Sequence, residues 1–204
     1  KLINTRQGTA NNTVLVLLGG PGSGKTSSAF GSMNAAKKDY AIILDSTGNN
    51  YEFFKENVQL ALDKMYKVEE VFVERNPLDA FQNGVLKRNR YVGVNDHIIR
   101  HVNGVETAKR SLADFSSDKR WSFSIVDNTK GIGQAAQLQL SKEKAVAHLD
   151  QISYNEAELK KKIYDTLPQN KTILPQELQD RYLKDQHTVA VSKEIGVQPQ
   201  PGGN

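Results

Sequence analysis

Eight consecutive residues constrain this chain more than any others: Gly19-Gly20-Pro21-Gly22-Ser23-Gly24-Lys25-Thr26. An apolar run, Val14-Leu15-Val16-Leu17-Leu18, precedes them, and Ser27-Ser28-Ala29-Phe30 follows without a breaker until Gly31. Strand, glycine turn and helix start, with the full G-x-x-x-x-G-K-[ST] spacing, are the context of a phosphate-binding loop. Glycines admit backbone angles that a Cβ forbids. Successive N–H groups can then turn inward around an anion, and the helix N-terminus adds partial positive charge. Lys25 is placed to reach the outer phosphates, and the Thr26 hydroxyl to hold Mg²⁺. The candidate nucleotide-binding residues are Gly19, Gly20, Pro21, Gly22, Ser23, Gly24, Lys25, Thr26 and Ser27.

The next apolar run, Tyr40-Ala41-Ile42-Ile43-Leu44, ends in Asp45. Apolar residues closing on an acid have the Walker B form, which puts a carboxylate at the carboxyl end of a neighbouring strand, where Mg²⁺ or its water shell would lie. Asp45 can also be read as a cap on the following turn or helix. Thr26 and Asp45 are the candidate metal-holding residues, and Lys25 and Asp45 the first candidate catalytic ones.

Further on, strand-like and helix-like patterns alternate. Tyr51 to Lys67 carries Phe54, Val58, Leu62 and Met65 at spacings of three and four, a helical stripe. Glu70 to Arg75 reads as a strand broken by Asn76-Pro77, followed by a helix from Leu78 to about Asn89. His97 to Phe115 reads as helix and Trp121 to Val126 as strand. This alternation predicts a parallel sheet with right-handed crossovers. The expected fold class is therefore α/β: a P-loop NTPase three-layer sandwich with a mainly parallel central sheet and a helical C-terminal appendage. The texture changes at Ser141. Lys142 to Tyr164 is charged and helical with a sparse apolar stripe, and Gln176 to about Asp185 is a second helical stretch. Residues 1–140 are expected to form the P-loop domain, and 141–204 the appendage with a linker-like end.

Composition excludes several classes. There is no cysteine, hence no disulfide or thiolate chemistry, which fits a reducing, cytoplasmic setting. No apolar run approaches membrane-span length. The net charge of +4 favours anionic ligands, but with only 7% aromatic residues it argues weakly for nucleic acid. His97, His148 and His187 show no metal-ligand spacing, and His101 reads as structural rather than catalytic. The chain does not begin with Met and reads as a domain of a longer protein.

Residues 14 to about 130 resemble the zeta-toxin family of P-loop kinases. The likeness is carried by Leu18 to Thr26, by Asp45-Ser46-Thr47-Gly48, and by Val71-Phe72-Val73-Glu74-Arg75-Asn76-Pro77-Leu78-Asp79-Ala80-Phe81-Gln82-Asn83-Gly84-Val85-Leu86-Lys87-Arg88. The last is similar to zeta-like domains inside large bacterial mobile-element proteins. Arg90-Tyr91-Val92, His101-Val102 and Val126-Asp127-Asn128-Thr129 continue it. The resemblance implies phosphoryl transfer from ATP or GTP, with Mg²⁺, to a hydroxyl of a small nucleotide-like molecule such as a UDP-amino sugar. It also implies an antitoxin or other domains of a longer chain as partners. One departure stands out. The family carries its general-base Asp after a second strand, followed by a helical substrate-binding segment. Here the next strand begins near Tyr40, leaving room for a single acidic strand end. Asp45 then serves both roles, or the segment has been lost. Arg88 and Arg90, where the helix from Leu78 gives out, are candidates for clamping the transferring group with a planar guanidinium fork. The competing functional class is a nucleotide-binding regulatory module without turnover.

Overall fold

The computed structural model describes residues 12–29, 40–88, 91–131, 133–167 and 175–194, with side chains as far as 186. A five-stranded sheet runs through it in the order β2-β1-β3-β4-β5. The strands are β1 (Thr13–Leu18), β2 (Ile42–Ser46), β3 (Lys67–Glu74), β4 (Trp121–Asp127) and β5 (Ala136–Leu138). The first four are parallel, and β5 returns antiparallel along β4. The fold is thus mixed α/β with a mainly parallel sheet, a P-loop NTPase-like sandwich.

β1 lies inside the sheet, and Val14 to Leu18 are at most 1% exposed. Both of its faces are covered, so the strand reads as continuously apolar. One face buries Val14, Val16, Leu18, Val68, Phe72 and Ile125 beneath α1 (Tyr51–Asp63), α3 (Val94–Phe115) and α4 (Lys142–Gln151). The other buries Leu15, Leu17, Val71, Val73 and Val126, with Tyr40 and Ala135 packed on them. β2 is an edge strand and alternates instead, leaving Ile43 and Asp45 outward. The short β5 carries no apolar run and is not legible in the sequence.

Several boundaries depart from expectation for local reasons. Asn50, not Asp45, caps α1, its side chain accepting from the Phe53 N–H. α1 stops at Asp63 because Met65 takes a left-handed φ of 62°, and the Tyr66 and Met65 N–H groups close back on Ala61 and Leu62. Met65 therefore leaves the predicted stripe and is exposed, while Phe54, Val58 and Leu62 are buried. The helix predicted from Leu78 starts at Pro77. Asn76 caps it, and its winding changes from α2 (Pro77–Ala80) to a π-helical turn (Phe81–Val85) and then a 3₁₀ turn (Leu86–Arg88). The helix predicted over Lys142 to Tyr164 is two helices. Asn155, accepting from the Glu158 N–H, restarts the chain as α5 (Glu156–Thr166).

α5 and α6 (Gln176–Glu194) complete a second apolar cluster. There Ile163, Tyr164, Leu178 and Tyr182 pack with Phe81, Val85, Leu86, Val94 and Ile98. Among the described residues no helix is long and apolar enough to cross a membrane.

Candidate nucleotide and phosphoryl-transfer site

The register aligns the carboxyl ends of four strands, with Leu18 beside Ser46 and Phe72, and Glu74 beside Asp127. Sites in open α/β sheets gather at this edge. Gly22 and Gly24 turn the loop there with φ of 74° and 90°, in the left-handed region closed to most side chains. The chain then enters a π-helical turn over Lys25–Ala29, a wide winding that recurs at functional sites. The helix expected to run on to about Ala36 lies outside the described residues beyond Ala29.

Lys25 folds back beneath the loop. Its Nζ donates to the Gly19 carbonyl at 2.7 Å and the Gly20 carbonyl at 3.3 Å, and lies 3.5 Å from Asp45 Oδ1. Burial pushes the Lys25 pKa down. The adjacent Asp45 opposes that shift, and Arg100 and Arg88 add to it. Two guanidiniums therefore share the field of the loop lysine. Asp45 reaches Lys25 from the end of β2, opposite Leu17, while its side chain stays 56% exposed.

The loop is braced from three elements. Arg75, at the end of β3, is nearly fully buried. Its Nη1 donates to the Gly22 carbonyl at 2.9 Å and its Nε to Asp79 at 2.6 Å. Asn128, after β4, donates to the Ser23 carbonyl at 2.7 Å. His101, on α3, covers Gly20 so closely that a Cβ there would fall 2.3 Å from its ring, and its Nε2 lies 3.1 Å from the Pro21 carbonyl oxygen. Burial holds His101 well below the usual histidine range, and the neighbouring His97 adds to that shift. His101 is thus a packing and positioning residue. Gly84 completes the cradle. A Cβ on it would sit 2.5 Å from the Gly22 carbonyl oxygen.

Beside the loop opens a cleft of about 520 Å³. Pro21 to Thr26, Asp45, Thr47, Gly84, Val85 and Arg88 line it, together with Tyr91 to Gly93, Asp96 and Arg100. Arg88 is thus placed on the cleft, and Arg90 lies outside the described residues. Arg100 pairs with Asp96 one helical turn away, Nε to Oδ1 2.9 Å. Sequence reasoning missed Arg100. The local signal was an Asp and Arg four apart, which by itself reads as an ordinary surface pair. In the sequence Arg75 stands at the end of a predicted strand, and Gly84 and Asn128 stand in the stretches that carry the family resemblance; nothing local shows that they meet the loop.

The residues present fit a nucleotide's phosphates: left-handed glycines, a buried lysine and two nearby arginines surround one space. Among the described residues no group of three or more His, Asp or Glu side chains is placed to hold a metal. A cation here would draw on the Thr26 hydroxyl, Asp45, water and the phosphates themselves.

No family model matches the chain, and no curated protein matches it. Among solved structures it is similar to a chain from the PezAT chromosomal toxin-antitoxin system of Streptococcus pneumoniae, at 14% identity and a TM-score of 0.42, over 82% of this chain and 91% of that one. The fold assignment rests on the strand order and register, not on that likeness.

Proposed function

We propose that this chain is a zeta-toxin-like phosphotransferase that moves the terminal phosphoryl group of ATP or GTP to a hydroxyl of a small nucleotide-like acceptor, such as a UDP-amino sugar. The observation that carries the reading is the convergence of Lys25, Asp45, Arg88 and Arg100 on one cleft at the strand ends. Phosphoryl transfer asks mainly for positioning and charge neutralisation. Residues Gly19 to Ser27 would cradle the phosphates, and Lys25 would swing from its carbonyl contacts to the outer ones. Thr26 and Asp45 would hold Mg²⁺, which supplies further neutralisation of the phosphate oxygens. Asp45, the acid nearest Lys25, would also accept the acceptor hydroxyl's proton at a carboxylate oxygen. Arg88 and Arg100 would brace the transferring group.

A second reading, nucleotide binding without transfer, draws on one observation. Among the described residues the carboxylates lining the cleft are Asp45 and Asp96, and each is engaged by a cation, Lys25 and Arg100. One experiment separates the two. The chain is incubated with γ-labelled ATP and Mg²⁺ against nucleotide sugars, nucleosides, NAD and oligonucleotides. A labelled nucleotide sugar supports the kinase. Tight ATP binding with no labelled product from any acceptor would put the regulatory module in its place.

A further inference from the structure

α3 is 22 residues long, and its N-cap, Gly93, has no side chain to satisfy the first free N–H groups. Such groups need a partner when the helix start is buried, and Val94 is 0% exposed. The partner comes from 91 positions away. Asp185 Oδ2, on α6, accepts from the Val94 N–H at 3.2 Å. The carboxylate also meets the positive end of a long helix dipole. The Tyr164 hydroxyl, on α5, donates to the same oxygen at 3.3 Å.

The same turn of α6 holds the residues just before the cap. The Tyr182 hydroxyl accepts from the Val92 N–H at 3.4 Å. Tyr182 also packs on the Tyr91 ring, centroids 5.0 Å apart, and the Arg181 guanidinium lies 3.9 Å from the centre of that ring. Tyr91, Val92 and Gly93 form a stretch of the cleft wall, and Asp96 and Arg100 follow on the next turns of α3. One turn of α6 therefore holds the Tyr91 ring, the Val92 N–H and the Val94 N–H at the start of α3.

We infer that Arg181, Tyr182 and Asp185 are positioning residues of the nucleotide site, setting the start of α3 and, through it, Arg100. The inference rests on the proposed reading of the cleft as the nucleotide site. Its physical content is a division of labour. The phosphate loop is held by direct contacts from Arg75, Asn128 and Gly84, with His101 of α3 beside them, whereas Tyr182 of α6 packs one step away, on Phe81. The wall that carries Arg100 does depend on α6. Loosening α6 should therefore spare the grip of the loop on the inner phosphates and weaken the grip on the outermost one.

The test measures MgATP and MgADP affinity by calorimetry on the full chain, well below its melting temperature. The expected result for Asp185→Ala is a loss of ATP affinity of about two- to thirtyfold, the span that losing one helix N-cap represents. ADP affinity should stay within about twofold, because the loop contacts survive. Asp185→Asn, which keeps an acceptor oxygen, should recover most of the loss. Arg100→Ala should mimic Asp185→Ala, and the double variant should be no worse than the weaker single one, since residues acting through one another are not additive. A merely structural role would not change the ATP-to-ADP ratio in a folded variant. An unchanged ratio in folded Asp185→Ala, or additive effects with Arg100→Ala, overturns the inference while leaving the functional reading intact. If Asp185→Ala does not fold, Tyr182→Phe removes only the hydroxyl that meets Val92, and an unchanged ratio there is equally fatal. A parent chain that binds neither nucleotide overturns the functional reading and this inference together.

Discussion

Glu70 offers the sharpest test of the packing. It lies in the middle of β3 and is 0% exposed. Oε2 accepts from the Ser111 hydroxyl and, at 3.2 Å, from Trp121 Nε1, while Oε1 has no hydrogen-bond partner among the described residues. Burial pushes its pKa from 4.5 up to about 8, although both hydrogen bonds pull the other way. In the unfolded chain the carboxyl ionises near 4.5. The folded chain keeps the proton to about 8. Between those values the native state holds the extra proton, so its stability falls as pH rises. The contribution is fully present below pH 4.5 and gone above about 8. The slope is about 1.4 kcal/mol per pH unit, hence a loss of about 3 kcal/mol at pH 7 and about 5 in total. Glu70→Gln keeps an oxygen for both donors and cannot ionise. The parent should match the variant within about 1 kcal/mol at pH 4.5, then fall behind it progressively to pH 8. Urea unfolding at several pH values measures this, and Trp121, the single tryptophan, reports it from beside the carboxyl. His97 and His101 contribute with the opposite sign, because burial lowers both, His97 to about 4, so their stability is lost as pH falls below about 6.5. Subtracting the variant's profile from the parent's cancels them. A difference that stays flat from pH 5 to 8 would show that Glu70 is ionised in the fold and that its burial has been misjudged.

Three further outcomes are expected. Gly84→Ala places a methyl 2.5 Å from the Gly22 carbonyl oxygen, so the phosphate loop must shift. Melting should show about 1–3 kcal/mol of lost stability, and calorimetry weaker ATP binding; a silent variant would remove the cradle argument. Asp45→Asn should lower turnover far more than ATP affinity measured without Mg²⁺. It should change stability by less than about 0.5 kcal/mol, because Asn50 rather than Asp45 caps α1 and the ion pair of Asp45 with Lys25 is largely exposed on one side. Arg88→Ala should lower kcat about a hundredfold or more, below the full span for arginine fingers, with a much smaller change in ATP affinity. Parent-like turnover would make Arg88 a bystander on the cleft.

Short-range stereochemistry was legible without a structure. The phosphate loop declares itself because each of its residues acts within a few positions of the next: glycines for the turn, lysine and threonine at the helix start. The apolar run Val14 to Leu18 declares a strand buried on both faces, and the alternation of patterns declares a parallel sheet. A parallel sheet in turn puts Asp45 and the phosphate loop at one edge. Tertiary structure alone decided what meets that edge. Arg75 reaches Gly22 across 53 positions, Asn128 reaches Ser23 across 105, and Asp185 caps α3 across 91. No local pattern encodes such pairings, since an arginine, asparagine or aspartate looks the same in sequence whether it faces water or a buried carbonyl. Glu70 is the plainest case. Within Lys67–Glu74 it reads as a polar residue in a strand, and only the return of Ser111 and Trp121 from elsewhere in the chain encloses it. What a residue does to its neighbours in sequence is set by covalent geometry. What it does at a distance is set by where the chain comes back.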